Sequence, residues 1–311
     1  MSYAKTYLSY LFGNKRFKIP KLPQEIPWGS LSLEETLMFH ALQNSLEKYI
    51  NEELEIDSIT PQNALQLFKF FGLIQNEVFK NRLIEKYCED YLFFSELTQK
   101  DHPPLPEDQI ISLLKKEWDQ FTIFALLHPN REKKGRIIFK KKDGSFFVIK
   151  VLGMSSRGLD YYYTNGQTPQ GVYRIDGVMP KADRWYEFGK YRRLILNFEM
   201  EENVKNILSS DVLSSPWWKE AILALKLGRS HLRIHGAGRI NKNIFSSYFP
   251  IVPTSGCLAV SEGFGFHHQR ILLDEMMKAL GLNPEFSNEE KIRGRLIVIE
   301  TNKIRSILNN L

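Results

Sequence analysis

A change of sequence pattern near residue 130 is the feature that most constrains the fold of this chain. Before it, apolar residues recur at helical spacing, as in the segment 33–50, where Ser32 is a candidate N-cap ahead of an acidic first turn. After it, short apolar segments of the kind typical of strands alternate with turn residues, as in RIIFK at 136–140. The sequence therefore predicts two domains, a helical one over residues 1–130 and a β-rich one over residues 131–311.

The formal charge changes at the same place. Residues 1–130 hold 13 Lys/Arg and 18 Asp/Glu, a balance of −5, whereas the remaining residues hold 29 and 18, a balance of +11. A basic domain can face nucleic acid, an anionic polymer or an acidic small substrate. The most basic segment, 131–142, lacks the interleaved aromatic residues of a single-strand binder and is more typical of a lysine-protected hairpin edge. No nucleic-acid partner is predicted.

Periodicity also predicts the order of elements along the chain. The first domain is expected to end with a helix from Glu107 to Leu127 after a proline-rich segment. The β-rich domain is expected to carry helical insertions. Its predicted strands are 136–140, 146–154, 171–175, 194–198, 231–236 and 295–300, and its predicted helices are 203–227 and 267–280.

Cysteine usage and hydropathy exclude several classes of protein. The two cysteines, Cys88 and Cys257, cannot build a disulfide framework or a four-thiolate zinc site. The histidines lack the spacing of a metal site, so neither a metal nor a cofactor is predicted. No apolar run approaches the roughly 20 residues needed to span a bilayer. No secretory signal is visible, so the chain is expected to be either cytoplasmic or stripped of a targeting segment.

Cys257 and His235 form the candidate catalytic pair. Cys257 lies in a glycine-containing turn, and a cysteine nucleophile needs a neighbouring base or positive charge. His235, at the end of a predicted strand and followed by Gly236, is the candidate base. Backbone N–H groups at Ser255, Gly256 and Cys257 could together stabilise an oxyanion. Either residue taken alone is more often an ordinary core cysteine or surface histidine.

Three segments of the second half resemble the YkuD family, the L,D-transpeptidase catalytic domain of bacterial cell-wall enzymes. That family carries a T-P-x-G-x-[FY]-x-I strand, a following H-G, and an S-x-G-C turn. The matching residues, spread over roughly 136–300, are Thr168, Pro169, Gly171, Tyr173, Ile175, His235, Gly236, Thr254 or Ser255, Gly256 and Cys257. The chain departs from the family pattern in having Leu258 where an arginine soon after the cysteine is common, which is closer to a YafK-like branch.

The resemblance implies an α+β protein, with a helical N-terminal domain followed by a β-rich L,D-transpeptidase catalytic domain that carries helical insertions. It implies that Cys257 forms a thioester with a peptidoglycan stem peptide, that His235 is the base, and that an amine acceptor completes a cross-link. Candidate substrate-binding residues are Gly236, Arg233, Tyr173 and Trp185, and Arg174, Arg229 and Arg239 are further candidates for binding carboxylates.

Three alternatives stay open at this point. A water acceptor would give an L,D-carboxypeptidase or amidase with the same Cys–His pair. A sortase-like transpeptidase also has His before Cys on a β-barrel, with a later arginine for which Arg293 or Arg295 could serve. A catalytically silent wall-binding module would keep the pair without turnover.

The resemblance also implies a setting for the protein. It places the enzyme in cell-wall biogenesis and cell shape, in the periplasm or cell envelope of a bacterium, with peptidoglycan stem peptides as partners. The N-terminal helical domain could in addition bind a protein partner.

Overall fold

The computed structural model describes residues 36, 40, 45, 48–50, 54–59, 64, 77–87, 104–155, 161, 165–184, 188–236, 254–263 and 266–311. The chain divides into two compact units. One unit comprises residues 1–100 with 157–159, and the other comprises residues 101–156 with 160–311. In the first unit, the structure gives a 3-10 turn at Ile56–Ser58 and an α-helix, α1, at Glu77–Lys86.

The second unit is built on a closed β-barrel of eight strands. These are β1 (Thr122–Leu127), β2 (Gly135–Lys140), β3 (Phe146–Leu152), β4 (Gly171–Val178), β5 (Leu194–Phe198), β6 (Leu232–Gly236), β7 (Leu258–Val260) and β10 (Gly294–Glu300). Their order around the barrel is β1-β10-β4-β5-β6-β7-β3-β2. A two-stranded hairpin, β8 (Glu262–Gly263) with β9 (Phe266–His267), follows β7.

Two parallel contacts make the barrel mixed rather than antiparallel. β1 pairs in parallel with β10, from Thr122 with Arg295 to Leu127 with Glu300. β6 pairs in parallel with β7. The other neighbouring strands are antiparallel. Closure removes the free strand edges that an open sheet would expose.

The helices of this unit are short. They are α2 (Glu107–Lys115), α3 (Glu201–Ile207), α4 (Ser210–Leu213), α5 (Lys219–Lys226), α6 (His268–Leu280) and α7 (Ile304–Asn309), with 3-10 turns at Pro216–Trp218 and Phe286–Lys291. Among the described ranges, no helix has both the length and the apolar character needed to cross a membrane.

Inward-facing side chains of alternate strand positions fill the barrel. Ile123, Ala125 and Leu127 of β1 belong to this core, and the helix α6 adds Leu272 and Met276. The intervening residues of β1, Phe124 and Leu126, are also buried, so this strand is covered on both faces. A strand buried on both faces shows no alternation in its sequence.

The predicted α+β class is wrong for this protein. In its described residues the structure has a closed eight-stranded mixed barrel with a few short helices, rather than a helical domain followed by a β-rich L,D-transpeptidase domain. Part of the reason lies in the predicted helix from Glu107 to Leu127. It ends at Lys115, and TIFALL at 122–127 forms β1. A short continuous apolar run does not distinguish a buried strand from a buried helix segment.

Several local predictions are confirmed. The strand at 194–198 has the predicted bounds, and those at 136–140 and 295–300 begin one residue earlier than expected. The helical segment 203–227 is broken into α3, α4, a 3-10 turn and α5. Proline at position 216 forms the first position of that turn, because it lacks the N–H that a continuing helix needs.

Candidate active site

Two neighbouring parallel strands position Cys257 and His235: His235 is in β6, and Cys257 immediately precedes β7. Ile234 of β6 pairs with Leu258 of β7, and His235 pairs with Ala259. Ile234 and Leu258 point into the barrel core. Because side chains alternate along a strand, His235 points outward, and so does Cys257, one residue before the first pair. The two residues therefore occupy diagonal positions at adjacent strands.

His235 is buried and its ring is oriented by the backbone. Only 1% of its surface is exposed, and its Nδ1 lies 2.6 Å from the carbonyl oxygen of Gly236. A carbonyl accepts, so Nδ1 carries the proton and Nε2 is the basic nitrogen. Nε2 is buried and has no hydrogen-bond partner in the part of the chain that the structure describes. Phe188 packs edge-on against the ring, at 5.1 Å between centroids.

The turn before β7 requires glycine at position 256. Gly256 has φ +100°, and a Cβ atom there would lie 2.2 Å from the carbonyl oxygen of Gly166 and 2.4 Å from Nη2 of Arg229. The thiol that follows is a free cysteine, 9% exposed. Of the predicted oxyanion residues, Gly256 is buried beside Cys257, whereas Ser255 is exposed and forms an isolated bridge with Ser155.

Burial leaves both candidate catalytic groups neutral at rest. Burial raises the pKa of the Cys257 thiol, while the backbone N–H and charge of Arg233, with Arg229 and Arg193, oppose that rise. Burial lowers the pKa of His235 to about 4, although its hydrogen bond to Gly236 acts in the opposite direction. A neutral imidazole and a protonated thiol are the resting forms that a general-base step between the two groups would require.

Three arginines supply positive charge around the thiol. Arg229 is 4% exposed, and its guanidinium donates to the carbonyls of Gln167 at 2.8 Å and Gly166 at 3.1 Å. Arg233 is half-buried and lies on β6, on the same face as His235. Arg193 is 6% exposed and lies over the Phe188 ring at 4.4 Å.

The arginines predicted for a sortase-like site lie elsewhere. Arg295 is on β10, four positions around the barrel from β7, and pairs with Asp119 at 3.3 Å. Arg293 donates to the carbonyl of Glu290. Neither is among the groups that influence the Cys257 thiol, which are Arg193, Arg229 and Arg233.

Other predicted site residues take different positions. Tyr173 is fully buried in the barrel core, where its hydroxyl donates to the carbonyl of Pro169 at 2.7 Å. Arg174 is exposed and pairs with Asp176. His231, the first residue of the predicted strand 231–236, is exposed and precedes β6, so it lies outside the strand that carries His235. Trp185 and Arg239 lie outside the described residues.

Glu262 explains why position 236 must be a glycine, although no sequence motif of the site includes Glu262. Oε2 of Glu262 lies where a Cβ on Gly236 would be, 1.6 Å from that position. Burial raises the pKa of Glu262 to about 6, and its Oε1 accepts the Lys190 N–H at 2.7 Å. A glycine at 236 therefore makes room for this carboxyl beside the His235 backbone.

Arg193 was also missed. Leu194 of β5 pairs with Ile234 of β6, so continuing the antiparallel register by one residue sets Arg193 opposite His235. Strand alternation places Arg193 on the outer face, but only knowledge that β5 neighbours β6 would have brought it to the site.

The described residues contain no group of three or more His, Cys, Asp or Glu side chains that could hold a metal ion. Comparisons with known proteins give no family for this site. No family model matches the chain, and no curated protein and no solved structure is significantly similar to it.

Proposed function

We propose that this protein is a cysteine-dependent acyltransferase of the L,D-transpeptidase type, which acts on peptidoglycan stem peptides through a thioester at Cys257. The observation that carries the proposal is the pairing of β6 with β7, which sets Cys257 and His235 on one face while Gly236 fixes the imidazole with Nε2 as its basic nitrogen. The resemblance of the three motif segments supplies the substrate class. The +11 balance of residues 131–311 suits carboxylate-bearing peptides.

The proposed reaction has two halves. Nε2 of His235 takes the thiol proton as Sγ of Cys257 bonds to the carbonyl carbon of the third stem residue, and the carbonyl electrons move to oxygen. The tetrahedral intermediate collapses, the C–N bond to the terminal D-alanine breaks, and the imidazolium protonates the leaving amine. An acceptor amine then attacks the thioester carbonyl carbon and loses a proton to Nε2 of His235; the C–S bond breaks, the new amide forms, and His235 passes that proton to Sγ of Cys257. Catalytic hydrogen bonds are often long in free enzymes, so the unpartnered Nε2 is compatible with this role.

A direct test is incubation of the purified protein with tetrapeptide muropeptides, with the products read by mass spectrometry. Cross-linked dimers are expected, and the Cys257→Ala variant should give none. If only tripeptide products form, water is the acceptor and the protein is an L,D-carboxypeptidase. Unchanged substrate together with no covalent carbapenem adduct would rule the enzyme out and leave a silent wall-binding module.

A second candidate keeps the chemistry and changes the acyl donor. The closed eight-stranded barrel favours a sortase-like transpeptidase, since that class also has His before Cys on a β-barrel. Arg233 would then replace Arg293 or Arg295 as the arginine beside the thiol. Transfer from a peptide that contains only L-amino acids, with no reaction on muropeptides, would select this candidate.

The pH dependence of acylation should follow the lowered pKa of His235. With p-nitrophenyl acetate as acyl donor, the rate should fall about tenfold per pH unit below pH 4 and be level from about pH 5 to 7.5. Circular dichroism must be recorded at each pH, because the fold itself loses stability in acid. The unfolded histidine takes a proton near pH 6.5, so the part of the unfolding free energy due to neutral His235 is present above that pH and lost as the pH falls through 4. An activity midpoint at 6.5 in folded protein would contradict the buried neutral base.

A further inference from the structure

Thr168 connects the strand that begins at residue 171 to the cysteine turn. Its hydroxyl donates to the carbonyl oxygen of Gly256 at 2.8 Å, a fully buried hydrogen bond between segments 88 residues apart. Thr168 itself is 1% exposed. Its backbone N–H donates to Gly153 at 3.1 Å, and a Cβ on Gly153 would lie 2.9 Å from the hydroxyl. The hydroxyl is therefore closely confined by its surroundings.

The segment that carries Thr168 is fixed at each of its residues. Arg131 donates to the Thr168 carbonyl at 3.1 Å and forms an ion pair with Glu300 at 2.6 Å. The Tyr173 hydroxyl holds the next carbonyl, that of Pro169. The backbone N–H of Gln170 donates to Glu220 at 2.8 Å. These bonds fix the position of Thr168, because any displacement of this residue would have to break one of them.

Both peptide groups that flank Cys257 accept a hydrogen bond from a threonine hydroxyl. Thr168 binds the carbonyl of Gly256, and Thr254 binds the carbonyl of Cys257 at 2.7 Å. A trans peptide is planar, so its N–H points opposite to its C=O. When Thr168 holds the Gly256 carbonyl, it therefore also sets the direction of the Cys257 N–H, the donor nearest the nucleophile. A hydrogen bond to the carbonyl further polarises that N–H as a donor.

We infer that Thr168 is a positioning residue for the oxyanion hole: its hydroxyl orients the Gly256–Cys257 peptide so that the Cys257 N–H faces the oxygen of the tetrahedral intermediate. This inference rests on the proposed function, because an oxyanion develops only if Cys257 attacks a carbonyl. It assigns a physical role to the threonine of the T-P-x-G segment, which lies 89 positions from the cysteine along the chain.

The test compares two reactions of the same thiol. Acylation by p-nitrophenyl acetate passes through an oxyanion, whereas alkylation by iodoacetamide does not. Loss of one oxyanion donor costs about 10²–10³ in rate, so a misdirected donor should cost at least about tenfold. Thr168→Val keeps the side-chain shape and removes the hydroxyl; we expect acylation to slow by about 10- to 100-fold while alkylation stays within about twofold. Thr168→Ser, which keeps the hydroxyl, should restore acylation to within about threefold.

The outcomes separate the two proposals. Acylation of the wild type with no effect of Thr168→Val overturns the inference alone. Equal slowing of acylation and alkylation overturns it as well, because the thiol and not the oxyanion donor has then changed. A wild type that is alkylated but never acylated overturns the proposed function and this inference together. If Thr168→Val fails to fold, Thr168→Ala is measured in the same way, and the amide signal of ¹⁵N-labelled Cys257 should shift in it and return in Thr168→Ser.

Discussion

Replacement of Cys257 by alanine is expected to reduce acylation by at least about 10⁴-fold, to the level of the uncatalysed reaction. In the proposed reaction, the thiol is the group that forms the covalent bond with the acyl donor. Stability should change by only about 1 kcal/mol, since one sulfur atom is lost from a site that is 9% exposed. The measurement is the rate of p-nitrophenol release, with the adduct located by peptide mass spectrometry.

Two further variants make this result specific. Cys257→Ser should remain at least about 10³-fold below the wild type, because a base whose pKa burial lowers to about 4 is poorly matched to a hydroxyl. Cys88→Ala removes the other thiol and should acylate like the wild type. An adduct that persists in Cys257→Ala and disappears in Cys88→Ala would move the reactive thiol to the other cysteine.

Gly256→Ala should destabilise the fold and disable the site together. The added Cβ would lie 2.2 Å from the backbone oxygen of Gly166, which is far below van der Waals contact, and the φ of +100° is itself unfavourable for alanine. We expect a loss of about 2–4 kcal/mol in the free energy of unfolding. Acylation should fall by at least about 100-fold in the remaining folded protein, because the turn must shift to admit the methyl group and a displacement of 1 Å has that effect.

Gly144→Ala is the matched control for this variant. Gly144 has φ +84° in the turn between β2 and β3, and nothing lies within 4 Å of a Cβ placed there. Gly144→Ala should therefore lower the free energy of unfolding by only about 1 kcal/mol, through backbone strain alone, and should leave acylation unchanged. Urea unfolding of the two variants measures the difference. Equal losses of unfolding free energy in the two variants would mean that the close approach of Gly166 and Arg229 to position 256 does not destabilise Gly256→Ala.

The sequence predicts those strands of the barrel that have a local signature. The segment 194–198 is a short, mostly apolar run that Arg193 and Glu199 bound in the sequence, and its predicted bounds are correct. β1 lacks that signature because both of its faces are covered, and β7 is only three residues long. Barrel closure depends on the pairing of β1 with β10, a long-range contact with no counterpart in local periodicity.

The candidate site divides in the same way. Cys257, His235 and Gly256 were identified because their motifs are local in the chain. The residues that surround them come from distant parts of the chain. Arg193 lies opposite His235 through strand pairing, Glu262 lies beside the backbone of Gly236, and Thr168 binds the carbonyl of Gly256 across 88 residues. Tyr173 illustrates the opposite error, since a motif residue predicted to bind substrate is instead buried in the core.

The parallel contact between β1 and β10 governs when this unit is able to fold during synthesis. β1 leaves the ribosome before the other seven strands of the barrel, and its partner β10 leaves last. Until then the edges of β1 and β4 that β10 will cover remain open, and open apolar edges invite pairing with other chains. The barrel can therefore close only after almost the whole unit has been synthesised. This topology favours slow folding and leaves the growing chain in need of protection from aggregation.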